Sequence, residues 1–191
     1  IKARVWSTQG NFGTQIQSFR KDLSDRIKQS VAKRQKMGIR ARRDNFYLIF
    51  GEADGIPGLM VQMLGERVLI QFYTSFWKGY QEIIVKELQA AITSSFNFAI
   101  TVAEMWTQTR GIAHALHEPA QCLNPNQASE YFEISENGIN FELQLGLNYD
   151  MGIYTDMASI REKEIALFEN KKSVLNLYAY TGAFSLLALK K

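Results

Sequence analysis

Residues 45–74 read NFYLIFGEADGIPGLMVQMLGERVLIQFYT. Aromatic and aliphatic side chains crowd into 46–50, 59–64 and 67–74, the composition of strands. Between the first two runs, GEADGIPG is turn chemistry: Gly51, Gly55 and Gly58 accept positive φ and Pro57 fixes its own. Gly65-Glu66 separates the next two runs as a hairpin turn does. Two or three short strands are therefore predicted here. Further on, WKGYQEIIVKELQAAI (77–92) places Tyr80, Ile83, Ile84, Leu88, Ala91 and Ile92 on one face of a helix. NFAITVAEM (97–105) predicts another strand, and 107–130 is polar and irregular. YFEISENGINFELQLG (131–146) alternates as a second hairpin, turning at Glu136-Asn137-Gly138. Residues 44–146 thus read as a central α+β domain, strand-strand-helix-strand-strand.

Upstream of it, KARVWS (2–7) looks like a strand, and residues 16–37 carry Phe19, Leu23, Ile27 and Val31 at spacings of four, one apolar helical stripe. Gly38 is placed to end that helix. The net charge of +3 hides an asymmetry: residues 1–43 hold twelve Lys/Arg against two acids, +10, and residues 44–191 hold ten against seventeen, −7. The basic block peaks in KRQKMGIRARR, and concentrated positive charge attracts polyanions, nucleic acid above all. Lys33, Arg34, Lys36, Arg40, Arg42 and Arg43 are the candidate RNA contacts, with exposed aromatics such as Trp77 or Trp106 as stacking partners for unpaired bases. An anionic membrane surface fits less well, because the apolar stripe has no interfacial aromatic anchors.

Downstream of Gly146, MGIYTDMASIREKEIALFEN turns helical from Asp156, which is placed to cap it, with Ile160, Ile165 and Phe168 near one face. VLNLYAYTGAFSLLALKK then reads as a short strand, a tight turn and a helix, the opening unit of a Rossmann-like α/β sheet. A glycine turn at the start of a helix lets a ligand approach the backbone. A half-built parallel sheet leaves an apolar edge that is expected to pair with a neighbour or to be poorly ordered.

The composition bounds the remaining options. With 191 residues, 46% hydrophobic and 21% charged, the chain is neither collagen-like nor mostly disordered. No apolar run reaches the roughly 18–20 residues a spanning helix needs, and the first residues do not resemble a signal peptide. The single cysteine, Cys122, fits a reducing, cytoplasmic setting. His114, His117 and Cys122 match no standard metal spacing, so no metal site is expected.

Three motifs carry a resemblance. FGEADGIPGLMVQ (50–62), the stretch with Gly152, Tyr154, Asp156 and Arg161, and LNLYAYTGAFS (175–185) resemble the S-adenosylmethionine-dependent 23S ribosomal RNA (cytosine-C5) large-subunit methyltransferases. The resemblance implies an N-terminal PUA domain, of which residues 1–43 are the end plus a basic linker helix. It implies the central domain at 44–146 and the truncated start of a Rossmann-like methyltransferase domain at 147–191. The implied cofactor is S-adenosyl-L-methionine, faced by Tyr154, Asp156, Asn176, Tyr178, Ala179, Tyr180, Thr181, Gly182 and Ala183. The implied partner is ribosomal RNA, with a homodimer as an option and no membrane. The family's two catalytic cysteines lie beyond Lys191 in this alignment of motifs. No catalytic residue is therefore expected in the chain, and no methyl transfer by the 191 residues alone. Two departures stand out: Gln62 replaces an acid usual after the PGL signature, and Met157-Ala158 replace a usual Gln-Arg pair. A non-catalytic RNA-binding protein, or a methyltransferase of the same build with another RNA target, are the alternatives.

Overall fold

The computed structural model describes residue 6 and residues 16–110, 118–124, 126 and 130–190. The strand expected at 2–7, apart from Trp6, and the pair His114 and His117 lie outside the described residues.

Helix α1 (Ile16–Lys36) closes at Gly38, whose φ of +61° is the left-handed conformation that glycine adopts without strain. Strand β1 (Asn45–Phe50) follows, then β2 (Leu59–Leu64) and β3 (Arg67–Phe72), paired antiparallel in that order. Gly65, at φ +62°, opens the two-residue β2–β3 turn. Helix α2 (Gln81–Phe96) leads to β4 (Met105–Thr109), which pairs parallel to β3, and β5 (Gln121–Cys122) completes a sheet of order β1-β2-β3-β4-β5. Strands β6 (Glu130–Glu136) and β7 (Ile139–Leu145) form a separate two-stranded sheet. Asn137 and Gly138, at φ +53° and +71°, make its turn, a pairing suited to the twist of a hairpin. Two short helices, α3 (Ala158–Glu164) and α4 (Ala183–Leu189), end the described chain.

Cross-strand partners share a face, so the registers sort the five-stranded sheet into two surfaces. One carries Phe46, Val61, Met63, Val68, Ile70 and Met105 and is covered by Leu23, Ile27 and Val31 of α1 and Ile84, Leu88 and Ile92 of α2. A bulge after Tyr47 turns both Leu48 and Ile49 into this core. The other surface carries Leu64, Leu69 and Trp106 under the β6–β7 hairpin, and beside them a polar set: Tyr47, Gln62, Gln71 and Gln108.

Several expectations need correction. Of the two or three strands expected before α2 the sheet takes three, so the domain is not strand-strand-helix-strand-strand, and the last hairpin is a sheet of its own. α1 is a full layer over the sheet, packed against α2, rather than a free linker. The helix expected at 77–92 starts at Gln81, after a 3₁₀ turn at Ser75–Tyr80 that buries Trp77. The strand expected at 97–105 lies at Met105–Thr109. Residues before it are held otherwise, by Gln89 donating to the Ile100 carbonyl and by Glu104 accepting from Thr101. The polar stretch from 107 therefore contains most of β4. Residues 174–180 form no ladder among the described residues, and Leu175 and Leu177 are exposed. A strand exists only beside a partner, and no strand of the described residues pairs with this segment. Asp156 caps nothing: it sits within a 3₁₀ turn, Thr155–Met157, whose cap makes no side-chain bond. Of the face expected to be apolar, Ile160 is exposed.

Candidate cofactor and nucleic-acid site

The turn from strand-like segment to α4 is anchored at one point. Thr181 Oγ1 donates to the Gly152 carbonyl over 2.7 Å, and Gly182, at φ +81°, makes the bend into the helix. This brings Tyr180 against Tyr154, ring centroids 4.9 Å apart and inclined by 35°. Both tyrosines are half exposed. Gly152 needs its φ of +109°, and a side chain there would also meet Leu143. Asn176 Nδ2 donates to Ser185 Oγ, tying the approach to the first turn of α4. Tyr178 and Tyr180 both have positive φ, rare for bulky residues.

Of the residues expected around a cofactor, Tyr154, Tyr180, Thr181 and Gly182 converge, with Asn176 behind them. Ala179 is exposed on the turn, and Ala183 is buried in the second core. Tyr178 stands fully exposed and apart. Asp156 is exposed within the 3₁₀ turn that packs on β1, and its charge acts on Tyr47 and Tyr73. Burial, reinforced by that carboxylate, pushes the Tyr47 phenol up to about 12. The same two effects raise Tyr73, where Arg110 opposes them.

The segment is held to the rest of the molecule by a buried ion pair. Arg161 donates to Glu136 through Nε (2.6 Å) and an Nη (2.8 Å), and to the Tyr154 carbonyl (3.1 Å). Asn45 Nδ2 donates to the same carboxylate over 2.7 Å. Arg161 is 2% exposed and Glu136 1%, so each charge relies on its partners. The Arg161 of the motif thus acts through position, fixing Tyr154 from beneath.

A second anchor went unread in the sequence. Gln108 Nε2 donates to the carbonyls of Glu118 and Tyr149, which fixes its amide orientation. Its Oε1 then accepts from Gln71, whose own Oε1 accepts from Gln62. Arg110 also donates to Gln108, stacks 3.9 Å from the centre of the Tyr149 ring and pairs with Asp150 at 3.3 Å. Asp150 in turn acts on Tyr180, whose phenol burial raises. Only the period-2 spacing of Gln62, Gln71 and Gln108 relative to the apolar run hinted at this row.

The basic set divides. Lys33, Lys36 and Arg42 are exposed, Lys33 lying 3.6 Å from Asp54 and Arg42 pairing with Glu162 at 2.9 Å. Arg34 is 8% exposed and cannot be an RNA contact as expected: it donates to both Asp54 oxygens and to the Tyr47 carbonyl. Burial alone would raise the Asp54 carboxyl, but the bonds from Arg34 and the Phe50 amide outweigh it and leave the group below its ordinary value. Arg40 stacks on Phe98, and burial lowers Arg43, whose Nε and one Nη are enclosed. Trp77 and Trp106, 2% and 1% exposed, are core residues rather than stacking platforms. Among the described residues no group of His, Cys, Asp and Glu is arranged for a metal, and no helix is long and apolar enough to cross a membrane.

Comparison with known proteins places this arrangement. Over all of its length the chain is 28% identical to ribosomal RNA large subunit methyltransferase I of Aliivibrio fischeri, covering 46% of that protein. It is 27% identical to the Escherichia coli O139:H28 protein of the same name, over 99% of this chain and 45% of that one. The chain therefore spans about half the length of the curated relatives it matches. A solved Streptococcus mutans protein, proposed to be a SAM-dependent methyltransferase, superposes with a TM-score of 0.70 at 25% identity, over 89% of this chain and 42% of that one. SMU.776, solved in complex with SAH, shares the fold at a TM-score of 0.67 and 24% identity, over 89% and 41% of the two chains. A family model described as S-adenosylmethionine-dependent methyltransferase matches residues 66–191. The chain belongs to the S-adenosylmethionine-dependent methyltransferase family.

Proposed function

We propose that this chain is part of an enzyme that methylates large-subunit ribosomal RNA with S-adenosylmethionine, at carbon 5 of cytosine. The observation that carries the reading is the turn at 180–182, closed onto Gly152 by Thr181 and flanked by the half-exposed Tyr154–Tyr180 pair. An open glycine turn beside two accessible aromatic rings fits a cofactor that combines an adenine ring with a charged amino-acid tail. The cofactor supplies an electrophilic methyl group on sulfur. Tyr154, Asn176 and the backbone from Ala179 to Ala183 are the residues that would hold it. Asn176 fixes the approach through Ser185, and Thr181 holds the turn against the segment that Arg161 braces. RNA is drawn by the exposed Lys33, Lys36 and Arg42 along α1 and its exit, where cationic side chains gather phosphates. We propose residues 44–146 as the RNA-receiving domain and 147–191 as the start of the cofactor domain, with the nucleophile and the release group supplied by cysteines outside these residues.

The test uses the full-length protein that carries this sequence, methyl-labelled S-adenosylmethionine and unmethylated large-subunit ribosomal RNA. Appearance of labelled 5-methylcytidine on nucleoside mass spectrometry is the expected result. Label on another nucleoside would correct the target. Bound RNA without label would move the assignment to an RNA-binding protein without transfer activity.

A further inference from the structure

An open cavity of about 160 Å³ lies where β3 and β4 end, at Phe72 and Thr109, and none of its lining belongs to the cofactor turn or to the basic set of α1. β3 and β4 run parallel and are joined by α2, and the carboxyl ends of parallel strands are where such units leave room for a ligand. Thr107 and Thr109 stand opposite Ile70 and Phe72, and Gln121 of β5 stands opposite Thr107, so all three belong to the helix-covered face of the sheet. That face is apolar as far as Ile70 and Phe72, and one strand further on it turns polar. Lys78 and Gln81, at the start of α2, and Glu118 complete the lining. Lys78, Glu118 and Gln121 are exposed and the other three half-buried, and none of the six side chains is hydrogen-bonded or ion-paired to another described residue. The lining selects by chemistry. Lys78 attracts an anion, whereas Glu118 repels a bare one. Two hydroxyls, two carboxamides and a carboxylate suit a ligand that carries hydroxyl groups beside its charge. Size narrows the choice: the volume is roughly ten times what one water needs and about half that of the smallest cavities enclosing a drug-sized ligand.

We infer that this cavity binds a ribose phosphate unit, with Lys78 pairing with the phosphate, Glu118 accepting from the ribose hydroxyls, and the threonines and carboxamides completing the shell. An RNA strand and a free ribonucleotide both carry that unit. The site stands apart from the methyl-transfer chemistry and does not rest on that reading.

The experiment follows backbone amide NMR signals of the full-length protein that carries this sequence during titration with ribose 5-phosphate, ribose and inorganic phosphate at matched ionic strength. Ribose 5-phosphate is expected to shift the amides of 78–81, 107–109 and 118–121, and to bind about tenfold more tightly than either of its halves. Lys78→Ala is expected to weaken it about tenfold, by loss of a charge-assisted contact. Glu118→Ala is expected to remove the preference for ribose 5-phosphate over 2-deoxyribose 5-phosphate, the hydroxyl that separates the two being the one a carboxylate accepts from. Both side chains are exposed, so thermal melts of the variants are expected to match the parent. Uridine monophosphate and ten-nucleotide oligouridylate then distinguish the sources: tighter binding of the oligonucleotide at the same amides supports the cavity as a seat for an RNA strand, and tighter binding of the mononucleotide supports it as a nucleotide site. No shift at these amides, equal binding of inorganic phosphate, binding unchanged by Lys78→Ala, or a response to the zwitterion alanine in place of ribose 5-phosphate overturns the assignment. The ribosomal RNA transfer assay is separate: transfer without these shifts sinks only the cavity, and shifts without transfer sink only the methyltransferase.

Discussion

The two faces of one five-stranded sheet are built differently. The face under α1 and α2 is closed by aliphatic and aromatic side chains with little polar content. The opposite face is apolar only where the β6–β7 hairpin covers it, through Leu64, Leu69 and Trp106. Beyond the hairpin it carries a file of amides, tyrosines and Arg110, and it meets the rest of the chain through hydrogen bonds and ions. Buried acceptors without a partner gather on this side: Gln62 Oε1 and Asn45 Oδ1, with the hydroxyl of Thr155. The first face needs only to exclude water. The second spends stability on polar groups, as surfaces that bind do.

The contrast can be broken most severely at Arg161. Arg161→Ala strips the buried Glu136 carboxyl of its guanidinium partner, and urea unfolding is expected to lose about 3–5 kcal/mol. Amide exchange is expected to rise first in the hairpin and in 150–160, with the α1–α2 face retaining protection. A uniform loss of protection would show that the two faces unfold as one. Gln108→Leu comes next. It strands two backbone carbonyls and the Gln71 amide, for an expected cost of about 1–3 kcal/mol by denaturant titration, and it frees the Tyr149 segment.

The helix face has its own polar exception, Arg34–Asp54, which titrates. The folded Asp54 pKa is depressed, so its contribution is complete at neutral pH and is lost as pH falls through the ordinary carboxyl range, below about 4. Asp54→Asn is expected to flatten that part of the stability-versus-pH curve measured by urea midpoint, and an unchanged curve would remove the pair from the account. The smallest effect belongs to the surface charges. Lys36→Ala is expected to change stability by no more than about 0.5 kcal/mol. It is expected to reduce the salt dependence of single-stranded RNA binding by about 0.7 in log–log slope.

Legibility in the sequence followed the same division. The stripe of α1 and the 131–146 hairpin carry a clear period and the β1–β3 run a strand composition, and their positions were readable because each turns apolar side chains into a core. Phe98 and Ile100 look strand-like, yet the chain holds them by Gln89 and delays pairing until Met105, a tertiary choice that local composition does not encode. VLNLYAY has strand composition but no neighbouring strand among the described residues, and pairing is a property of two segments. Arg34 looked like its basic neighbours. What distinguishes it is Asp54, twenty residues away and read only as a turn residue. The motif resemblance names Tyr154, Tyr180, Thr181 and Gly182 together, and the structure brings them together. The polar residues of the sheet were not legible, because isolated glutamines and tyrosines in a strand announce nothing until register aligns them.

The glutamine file has a polarity. Gln108 donates to two carbonyls, so every amide upstream must point its oxygen toward Gln62, and the sense of the chain cannot be reversed locally. A carboxylate at 62 has no hydrogen to give to Gln71. To accommodate one, Gln71 must rotate, and its oxygen then confronts that of Gln108. The acid usual after the PGL signature and the pair Gln71/Gln108 in this orientation are therefore mutually exclusive. An acid at 62 is therefore expected to be accompanied by a change at 71 or 108.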